Sequence, residues 1–379
     1  AIMAQGKKLS TAELRKRNRN NIYRFFCETD KPCTKQEVAE ALSLSLPTVT
    51  QNLRELLDEG LLEYAGLVDS SGGRRPRTMR VCAQARFAVG VDLSPKHIRL
   101  VAVDLLANVI AYEKHAAVFS NDVVYRQRLA QAVDDFLDRF ALDRNRLLGV
   151  GITLPGIIDE AQDMIEVVPV FGIRKMRLST LTELLPYPVF VENDANAGGF
   201  AEWWNHEELD TMAYLFIGKG VGGALLMGGK PYVGNHRRSA EFGHMRIASN
   251  GKKCSCGKVD CLEAYCSTAR LSDDLNISVE EFFERMHTGD QTCDAIWKDY
   301  LDALSVGINN IRMIMDCPVV LGGIITSYFQ QYLPDLCIRL RMLNCFEDDA
   351  SYLHLGRCGD QANSIGAALH FIVEFINRI

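Results

Sequence analysis

The sequence predicts an α/β protein in which a small basic head precedes a larger body of two similar lobes. Residues 1–80 carry 14 of the chain's 42 Lys and Arg but only 10 of its 48 Asp and Glu, so the basic head is followed by an acidic body. From residue 86 onward, strand-like apolar runs alternate with helical patterns, which is typical of α/β folds. The same plan restarts near residue 211, which indicates an internal duplication. A chain of 379 residues is long enough for two or three domains.

The head has the order of elements of a helix-turn-helix. A first helix is predicted over residues 13–29. Thr34 and Glu37 then have the spacing of a capping box at the start of a second helix. Pro47 lies where a third helix can begin without an amide donor, and this helix is predicted over residues 47–59. The third helix would be the one that reads DNA.

A basic, glycine-rich loop between predicted strands at 61–64 and 78–81 resembles the wing of a winged helix. The alternative is a small helical dimerisation module with a solvated basic loop, but charge, helix order and wing together favour double-stranded operator DNA as the partner. The predicted DNA-contacting residues are Thr48, Thr50, Gln51 and Arg54 of the helix and Arg74, Arg75 and Arg77 of the loop.

Four residues of metal-binding types lie within 18 residues of one another: His244, Cys254, Cys256 and Cys261. One imidazole and three thiolates suit a closed tetrahedral zinc site, which is structural because no position is left for water. Gly257 suits the tight turn that such a site requires. Disulfides or simply buried thiols are the alternatives. Most of the 12 cysteines are scattered and no secretory signal is visible, which favours zinc in a reducing cytoplasm.

The body is predicted as two runs of strands and helices, and it contains no apolar run that suits a membrane span. The predicted strands of the first lobe cover residues 87–93, 98–104, 109–112, 147–153 and 189–191, with a long helix at about 122–140. The second lobe is predicted to contain strands at 211–217, 224–227 and 318–321, a glycine loop at 218–223 and a helix near 295–314, and a last helix of the body is predicted from Gly366.

Three motifs of the body resemble those of the ROK family (repressor, open reading frame, kinase), in its regulator branch. They are Glu192-Asn-Asp-Ala-Asn196, Gly218-Lys-Gly-Val-Gly-Gly223, and Glu241-x-x-His244 with its cysteines. The resemblance covers nearly the whole chain and implies a winged helix-turn-helix joined to a body with the actin-like ATPase and sugar-kinase fold. The expected domains are a winged helix-turn-helix at 10–82, a first lobe at 86–190 plus 365–379, and a second lobe with the zinc site at 191–364.

The resemblance also implies a sugar site. In similar sugar kinases the Asn-Asp pair binds sugar hydroxyls and its Asp is the general base, while two glutamates and the zinc-bound histidine contact the sugar. The candidate sugar-binding residues are therefore Gly156, Asn193, Asp194, Glu241, His244 and Glu263. Asn193 and Asp194 also have the residue types of a helix N-cap, a role that is compatible with ligand binding.

The nucleotide side departs from the pattern of the family kinases. Their first hairpin carries Asp-x-Gly-Gly-Thr, whereas this chain has Asp92-Leu-Ser-Pro95-Lys, and proline has no N–H for a phosphate. A run of three glycines near the adenosine is replaced by Gly322-Gly323-Ile324. The loop 218–223 is intact, but a glycine loop alone also shapes a hairpin. We therefore predict a protein without kinase activity, in which Asp194 accepts a hydroxyl hydrogen bond.

The first hypothesis is a cytoplasmic transcription regulator, most simply a repressor of carbohydrate genes, which acts as a homodimer or tetramer. A sugar or sugar-phosphate effector would change lobe closure or dimer geometry. The second hypothesis is an active ATP-dependent sugar kinase with an attached DNA-binding domain. The third is a regulator that a protein partner controls, with a vestigial sugar cleft.

Overall fold

The computed structural model of the chain describes residues 10–29, 31–67, 77–206 and 208–379. The head contains three helices and three short strands. These are α1 (Thr11–Thr29), β1 (Cys33–Thr34), α2 (Lys35–Leu42), α3 (Leu46–Asp58), β2 (Leu62–Leu67) and β3 (Arg77–Val81). The strands form one antiparallel sheet in the order β1-β3-β2, which completes the winged helix-turn-helix that the sequence predicts.

Two caps fix the ends of the head's short helices. The capping box is present: the Thr34 side chain accepts a hydrogen bond from the Glu37 amide, and the Glu37 carboxylate accepts one from the Thr34 amide. The helix α3 begins at Leu46, one residue earlier than predicted, because the Ser45 side chain accepts from the Thr48 amide. Pro47 then lies in the first turn, where its missing N–H has no intrahelical partner to lose.

The first half of the body contains eight strands and three helices. These are β4 (Phe87–Leu93), β5 (His97–Asp104), β6 (Val109–Ala116), α4 (Val123–Arg139), β7 (Leu147–Leu154), β8 (Ile157–Asp159), β9 (Met164–Val168), β10 (Ile173–Arg177), α5 (Leu178–Thr182), β11 (Val189–Asn193) and α6 (Asp194–Trp204). The strands β8, β9 and β10 form a small antiparallel sheet that the sequence did not predict, because such short strands carry little periodicity.

The second half of the body contains five strands and six helices. These are β12 (Thr211–Ile217), β13 (Val221–Met227), β14 (Lys230–Pro231), α7 (Leu262–Cys266), α8 (Val279–His287), α9 (Gln291–Met315), β15 (Val319–Gly322), α10 (Thr326–Phe329), α11 (Leu333–Leu343), β16 (Leu353–Leu355) and α12 (Ala362–Arg378). No helix in the described part of the chain is long and apolar enough to cross a membrane.

The two large sheets have the same topology. The first has the order β11-β7-β4-β5-β6, and the second has the order β14-β13-β12-β15-β16. In each sheet the three strands that come first along the chain, β4–β6 and β12–β14, form an antiparallel meander. The two later strands, β7 and β11 or β15 and β16, add in parallel beside the first strand of that meander. The predicted duplication is therefore confirmed.

The helices α6 and α12 cross between the lobes. The helix α6 follows the first sheet but packs on β12 and β13 of the second, whereas α12 follows the second sheet but packs on β4, β5 and β7 of the first. The two helices also pack on each other, and α12 needs glycine at two contacts: a Cβ on Gly90 of β4 would lie 1.7 Å from the Ser364 carbonyl oxygen of α12, and one on Gly366 of α12 would lie 1.8 Å from the Ala197 carbonyl oxygen of α6. The lobes are therefore joined by a tightly packed helix pair.

The last helix begins earlier than the sequence predicted. The helix α12 starts at Ala362, four residues before Gly366, and no side chain caps it. A 3₁₀ turn at Gly359–Gln361 leads directly into it, so the sequence has no capping residue to mark the start. Fully buried Glu202 of α6 fixes the preceding segment instead, since its carboxylate accepts the amides of Arg357 (2.7 Å) and Cys358 (2.9 Å).

The C-terminal part of α12 also holds the head. Asn20 of α1 donates a hydrogen bond to the Ile376 carbonyl, and Arg24 donates one to the Asn377 side chain. Buried residues of the head and of α12 belong to one continuous apolar core. A change in the position of α12 would therefore move the head directly.

Candidate functional site

The candidate sugar-binding residues lie where the first sheet meets the second half of the body. Gly156 follows β7, and Asp194 follows β11, so both lie at the carboxyl ends of neighbouring parallel strands. The Asp194 carboxyl is close enough to those of Asp92 and Glu241 for their charges to raise its pKa. Glu241 in turn lies near Glu263, whose charge raises the pKa of Glu241, and near His244, whose charge lowers it. The structure thus brings together residues that are far apart in the sequence.

Asn193 has two structural hydrogen bonds in this site. Its side-chain oxygen accepts the Asn196 amide (3.0 Å), so Asn193 is the N-cap of α6, as the alternative interpretation expected. Its side-chain nitrogen donates to the Gly156 carbonyl (2.9 Å). The amide is therefore held in one orientation and still has one N–H and one lone pair for a ligand.

Asp194 is the most strongly perturbed acid of the site. Burial and the neighbouring charge of Asp92 raise the pKa of its carboxyl from 3.8 to about 7, against a hydrogen bond from the Ala195 amide (2.8 Å). Desolvation also raises the pKa of Glu192 and of Glu241. A ligand that donates hydroxyl groups would satisfy these crowded carboxylates.

The His–Cys cluster has the geometry of a metal centre. The ligand atoms of His244, Cys254, Cys256 and Cys261 all lie within 4.8 Å of one another. The Cys256 and Cys261 sulfurs are 3.8 Å apart, and His244 Nδ1 is 3.9 Å from the Cys254 sulfur. A tetrahedral site with metal–sulfur bonds of about 2.3 Å has edges of about 3.8 Å. The four residues could therefore bind one ion with small side-chain shifts, and all twelve cysteines are free thiols.

The local backbone explains why these cysteines converge. Gly257 has a φ of +85° and donates its amide to the Cys254 carbonyl, which closes a tight turn between two ligands. The Cys254 amide donates to the Lys258 carbonyl (2.8 Å). Fully buried Asp260 accepts the Tyr265 hydroxyl and the Lys252 amide, which fixes the base of the turn.

Glu263 has a role that the sequence did not reveal. One carboxylate oxygen accepts the Val221 amide (3.0 Å), and the other accepts the Ser255 hydroxyl and lies 3.6 Å from the Cys254 sulfur. Glu263 thus links the metal-binding turn to the β12–β13 turn. The predicted glycine loop is shorter than expected, because Gly222 and Gly223 belong to β13.

An ion pair across the cleft was also missed by the sequence analysis. Arg237, in the segment before Glu241, lies 3.3 Å from the Asp159 carboxylate on β8. Arg237 has a φ of +54° and Ala240 one of +58°, a conformation that is costly for residues other than glycine. The paired arginines Arg237 and Arg238 were the only signal in the sequence.

Asp92, at the end of β4, is fully engaged by protein groups. One oxygen accepts the Thr153 hydroxyl (2.9 Å) and the Asn363 amide (3.3 Å), and the other lies 3.1 Å from the Arg99 guanidinium. The Asp92 side chain is almost completely buried. The guanidinium of Arg99 therefore supplies the positive charge that balances this carboxylate.

The exposed face of α3 carries most of the predicted DNA contacts. Thr50, Gln51 and Arg54 are exposed, and Arg54 has only a long contact of 3.9 Å to exposed Asp58. Thr48 is half-buried, and its hydroxyl is hydrogen-bonded to Ser45 (2.8 Å), so it is tied to the helix cap.

The wing is described only at its base. Arg77 begins β3, and its guanidinium lies 5.0 Å from the centre of the Tyr64 ring. Arg74 and Arg75 lie outside the described residues. Arg15 and Arg19 of α1 pair with Glu55 and Glu59 of α3, so these two basic groups stabilise the packing of the head.

The raised pKa of Asp194 predicts a pH-dependent stability. The folded protein holds the Asp194 proton up to about pH 7, whereas the unfolded chain loses it near its ordinary value of 3.8. Protonated Asp194 therefore contributes fully to the stability of the fold below about pH 4, and this contribution is lost as the pH rises through about 7. Asp194→Asn keeps an acceptor for the Ala195 amide but does not ionise. We expect it to raise the free energy of unfolding by up to about 4 kcal/mol at pH 8 and much less at pH 4.

Urea unfolding at the two pH values measures this difference. Asp316→Asn, at an exposed aspartate beyond α9, is the matched control and should show no such dependence. An equal gain for Asp194→Asn at both pH values would contradict the raised pKa.

The chain is similar in sequence to known transcription repressors and regulators. It is 29% identical to the xylose repressor of Bacillus spizizenii over an alignment of 329 residues. This alignment covers 81% of this chain and 85% of the repressor. It is 24% identical to the DNA-binding transcriptional dual regulator NagC of Escherichia coli K12 over an alignment of 271 residues. This alignment covers 70% of this chain and 67% of NagC.

Solved structures share the fold. A ROK family transcriptional regulator described as a homolog of the E. coli MLC protein aligns over 96% of this chain and 97% of its own, with a TM-score of 0.75 and 21% identity. A ROK family glucokinase from Streptomyces griseus, in complex with glucose and AMPPNP, aligns over 75% of this chain and 98% of its own, with a TM-score of 0.64 and 21% identity.

The family models divide the chain as the fold does. Residues 15–63 match the winged helix-turn-helix DNA-binding model, and residues 88–373 match the model of the ROK family. Because the second match spans well over half of the sequence, the chain belongs to the ROK family.

Proposed function

We propose that this protein is a sugar-responsive, DNA-binding repressor of carbohydrate genes. The observation that carries the proposal is the continuity of α12, which contacts the cleft at Asn363 and the DNA-binding head at Ile376 and Asn377. The repressors of xylose and N-acetylglucosamine genes among the relatives support the same function. We keep the predicted domain limits of 10–82, 86–190 plus 365–379, and 191–364.

The effector in this proposal is a sugar or sugar phosphate bound by Gly156, Asn193, Asp194, Glu241, His244 and Glu263. Carboxylates and a fixed amide suit a polyol, because each accepts or donates in a defined direction. Asp194 with a pKa of about 7 would accept a hydroxyl hydrogen bond when ionised. The ion pair between Arg237 and Asp159 would hold the two sides of the cleft around the sugar.

We assign the His–Cys cluster to a structural zinc ion. Three thiolates and one imidazole at these separations fit zinc, which would neutralise the thiolates and fix the surrounding turn. Because His244 Nδ1 faces the cysteines, its Nε2 is the nitrogen that can face a sugar. Glu263 would then connect the zinc-bound turn to the cleft through Val221 and Ser255.

We propose that kinase activity has been lost. Phosphoryl transfer needs a metal ion and phosphates held by flexible glycines and backbone amides. Here the Asp92 carboxylate is already neutralised by Arg99 and hydrogen-bonded to Thr153 and Asn363, and Pro95 offers no amide. In this proposal the network of Asp92 stabilises the lobes in place of binding a nucleotide.

The effector signal would pass to DNA through α12. Its 17 residues span about 25 Å at 1.5 Å per residue. A sugar that favours one lobe arrangement would move α12 and, with it, α1 and the reader helix. Two such heads in a homodimer or tetramer would then no longer match paired half-sites. Twelve free thiols agree with a cytoplasmic location.

A DNA-binding assay with a sugar panel tests the proposed function. The operator is selected from random duplexes, and the panel contains free and phosphorylated pentoses, hexoses and N-acetylhexosamines. We expect one sugar to change the operator affinity about fivefold or more. Glu241→Gln should abolish that response without changing affinity in the absence of sugar. Arg54→Ala should weaken DNA binding and leave sugar binding unchanged.

Three results would oppose the proposal. Failure of every sugar to bind by calorimetry would favour control by a protein partner. Sugar-dependent release of ADP from ATP, abolished by Asp194→Asn, would show an active kinase. Absence of sequence-selective DNA binding would remove the regulator hypothesis altogether.

Replacing one thiolate tests the zinc assignment. We expect about one zinc ion per wild-type chain by elemental analysis, and a large loss of zinc in Cys256→Ser because a hydroxyl is a poor substitute for a thiolate. Cys345→Ser, at an exposed cysteine outside the cluster, should keep its zinc. Equal metal content in all three proteins would rule out zinc at these residues.

Loosening the head from α12 tests the signal path. Asn20→Ala and Arg24→Ala remove the hydrogen bonds to Ile376 and Asn377. We expect both variants to bind operator DNA and sugar but to lose at least half of the sugar-induced change in DNA affinity. Arg17→Ala, at an exposed arginine of α1, should retain the full change. A full response in both variants would show that the signal takes another route.

A further inference from the structure

Two apolar side chains lie exposed at the start of the reader helix α3. Leu46 is 38% exposed, and Pro47 is exposed beside it. Together with Thr50, Gln51 and Arg54 they line an open groove of about 460 Å³, which we call the α3 groove. The two apolar residues thus share one surface with three residues that the sequence predicts as DNA contacts.

The helical period explains why the lining residues share one face of α3. They occupy positions 46, 47, 50, 51 and 54, which recur about once per helical turn. The opposite face places Val49, Leu53 and Leu56 in the core of the head. Leu44, just before α3, also packs on that core, whereas Leu46 is not among the described residues that do so. The Leu46 side chain is therefore free to contact a partner.

The first turn of α3 holds these side chains in fixed positions. The ring of Pro47 restricts the backbone. The Ser45 side chain accepts a hydrogen bond from the Thr48 amide, and the two hydroxyl oxygens are 2.8 Å apart. Because Thr48 is engaged in this cap, the start of α3 presents Leu46 and Pro47 to the outside. A surface that is rigid before binding loses little conformational entropy when a partner covers it.

The charge of the α3 groove suits a polyanion. Among the described residues that line it, Arg54 is the one cation and no carboxylate occurs. The first turn of α3 contains no acidic residue, so the positive end of the helix dipole is not neutralised there. This surface would attract the phosphate backbone of DNA, whereas it would not attract a basic protein.

The major groove of DNA presents one apolar group to such a surface, the C5 methyl group of thymine. In helix-turn-helix proteins the first residues of the reader helix approach the base edges. An exposed leucine beside a rigid proline gives the methyl group an apolar surface against which it is shielded from water. Neighbouring Gln51 can bind N6 and N7 of adenine, so the α3 groove combines apolar and polar base recognition.

We propose that Leu46 and Pro47 read a thymine in each operator half-site by packing against its C5 methyl group. This inference rests on the proposed function, because it requires α3 to enter the major groove. Cytosine has no methyl group at the same place, so the contact would distinguish a T·A pair from a C·G pair.

Replacing thymine by uracil tests the contact, because uracil forms the same base pair and lacks only the methyl group. Duplexes of the selected operator carry uracil at one thymine of each half-site at a time. We expect one position at which uracil raises the wild-type dissociation constant about fourfold per half-site, as for the loss of one buried methyl-sized group. Leu46→Ala should bind the thymine duplex more weakly and should lose most of the difference between the two duplexes.

Three further variants separate the methyl contact from other effects. Pro47→Ala is a second change in the contact and should also reduce the difference between the duplexes. Arg54→Ala should weaken binding to both duplexes alike and keep the difference. Leu14→Ala, at a 40% exposed leucine of α1, is the matched control and should retain both the wild-type affinity and the difference.

The outcomes distinguish this inference from the proposed function. If uracil has no effect at any thymine of the half-sites, the inference is overturned while the proposed function stands. An unchanged difference in both Leu46→Ala and Pro47→Ala would also overturn it, since another group would then read the methyl. Absence of sequence-selective DNA binding would overturn the proposed function and this inference together. If the methyl contact is found but no sugar alters DNA binding, the base readout stands and sugar sensing fails.

Discussion

The close contact between α6 and α12 is the constraint on which the rest of the structure depends. Each helix follows one sheet and packs on the other, so neither lobe has a complete core by itself. Gly366 of α12 leaves room for the Ala197 carbonyl of α6, and Gly90 of β4 leaves room for the Ser364 carbonyl of α12, so α12 packs closely on both α6 and the first sheet. Since packed interiors are not continuously deformable, the lobes can move only through small shifts of this helix pair.

The candidate site is arranged around the same helix pair. Asn193 caps α6 and fixes Gly156, while Asn363 near the start of α12 donates to Asp92. The candidate sugar-binding residues and the Asp92 network are therefore both connected to the crossing helices. Glu263 adds the metal-binding turn to this arrangement through the Val221 amide. The residues that would recognise a ligand are thus the same ones that position the lobes.

Several features could be predicted because their causes are local in the sequence. The capping box at Thr34 and Glu37 depends on residues three positions apart, and the tight turn at Gly257 depends on a short spacing between cysteines. The duplication of the body was visible in the apolar runs that restart near residue 211. In contrast, the start of α12 was placed four residues too late, because Glu202, which is distant in sequence, stabilises that segment in place of a capping residue.

The sequence by itself determined the winged helix-turn-helix, the duplicated α/β body and the residue types of the candidate metal and sugar sites. Local spacing and periodicity carry that information for the fold and the metal site, because neighbouring residues share one turn of helix or one strand, whereas the sugar-site residues follow from the resemblance to the ROK family. Only the tertiary structure decided that Arg99 neutralises Asp92, that Glu263 binds the Val221 amide, and that Arg237 reaches Asp159. These contacts depend on how strands and loops are brought together by folding, and no spacing along the chain encodes a distance between side chains. The attachment of the head to α12, which joins the two ends of the chain, is of the same kind.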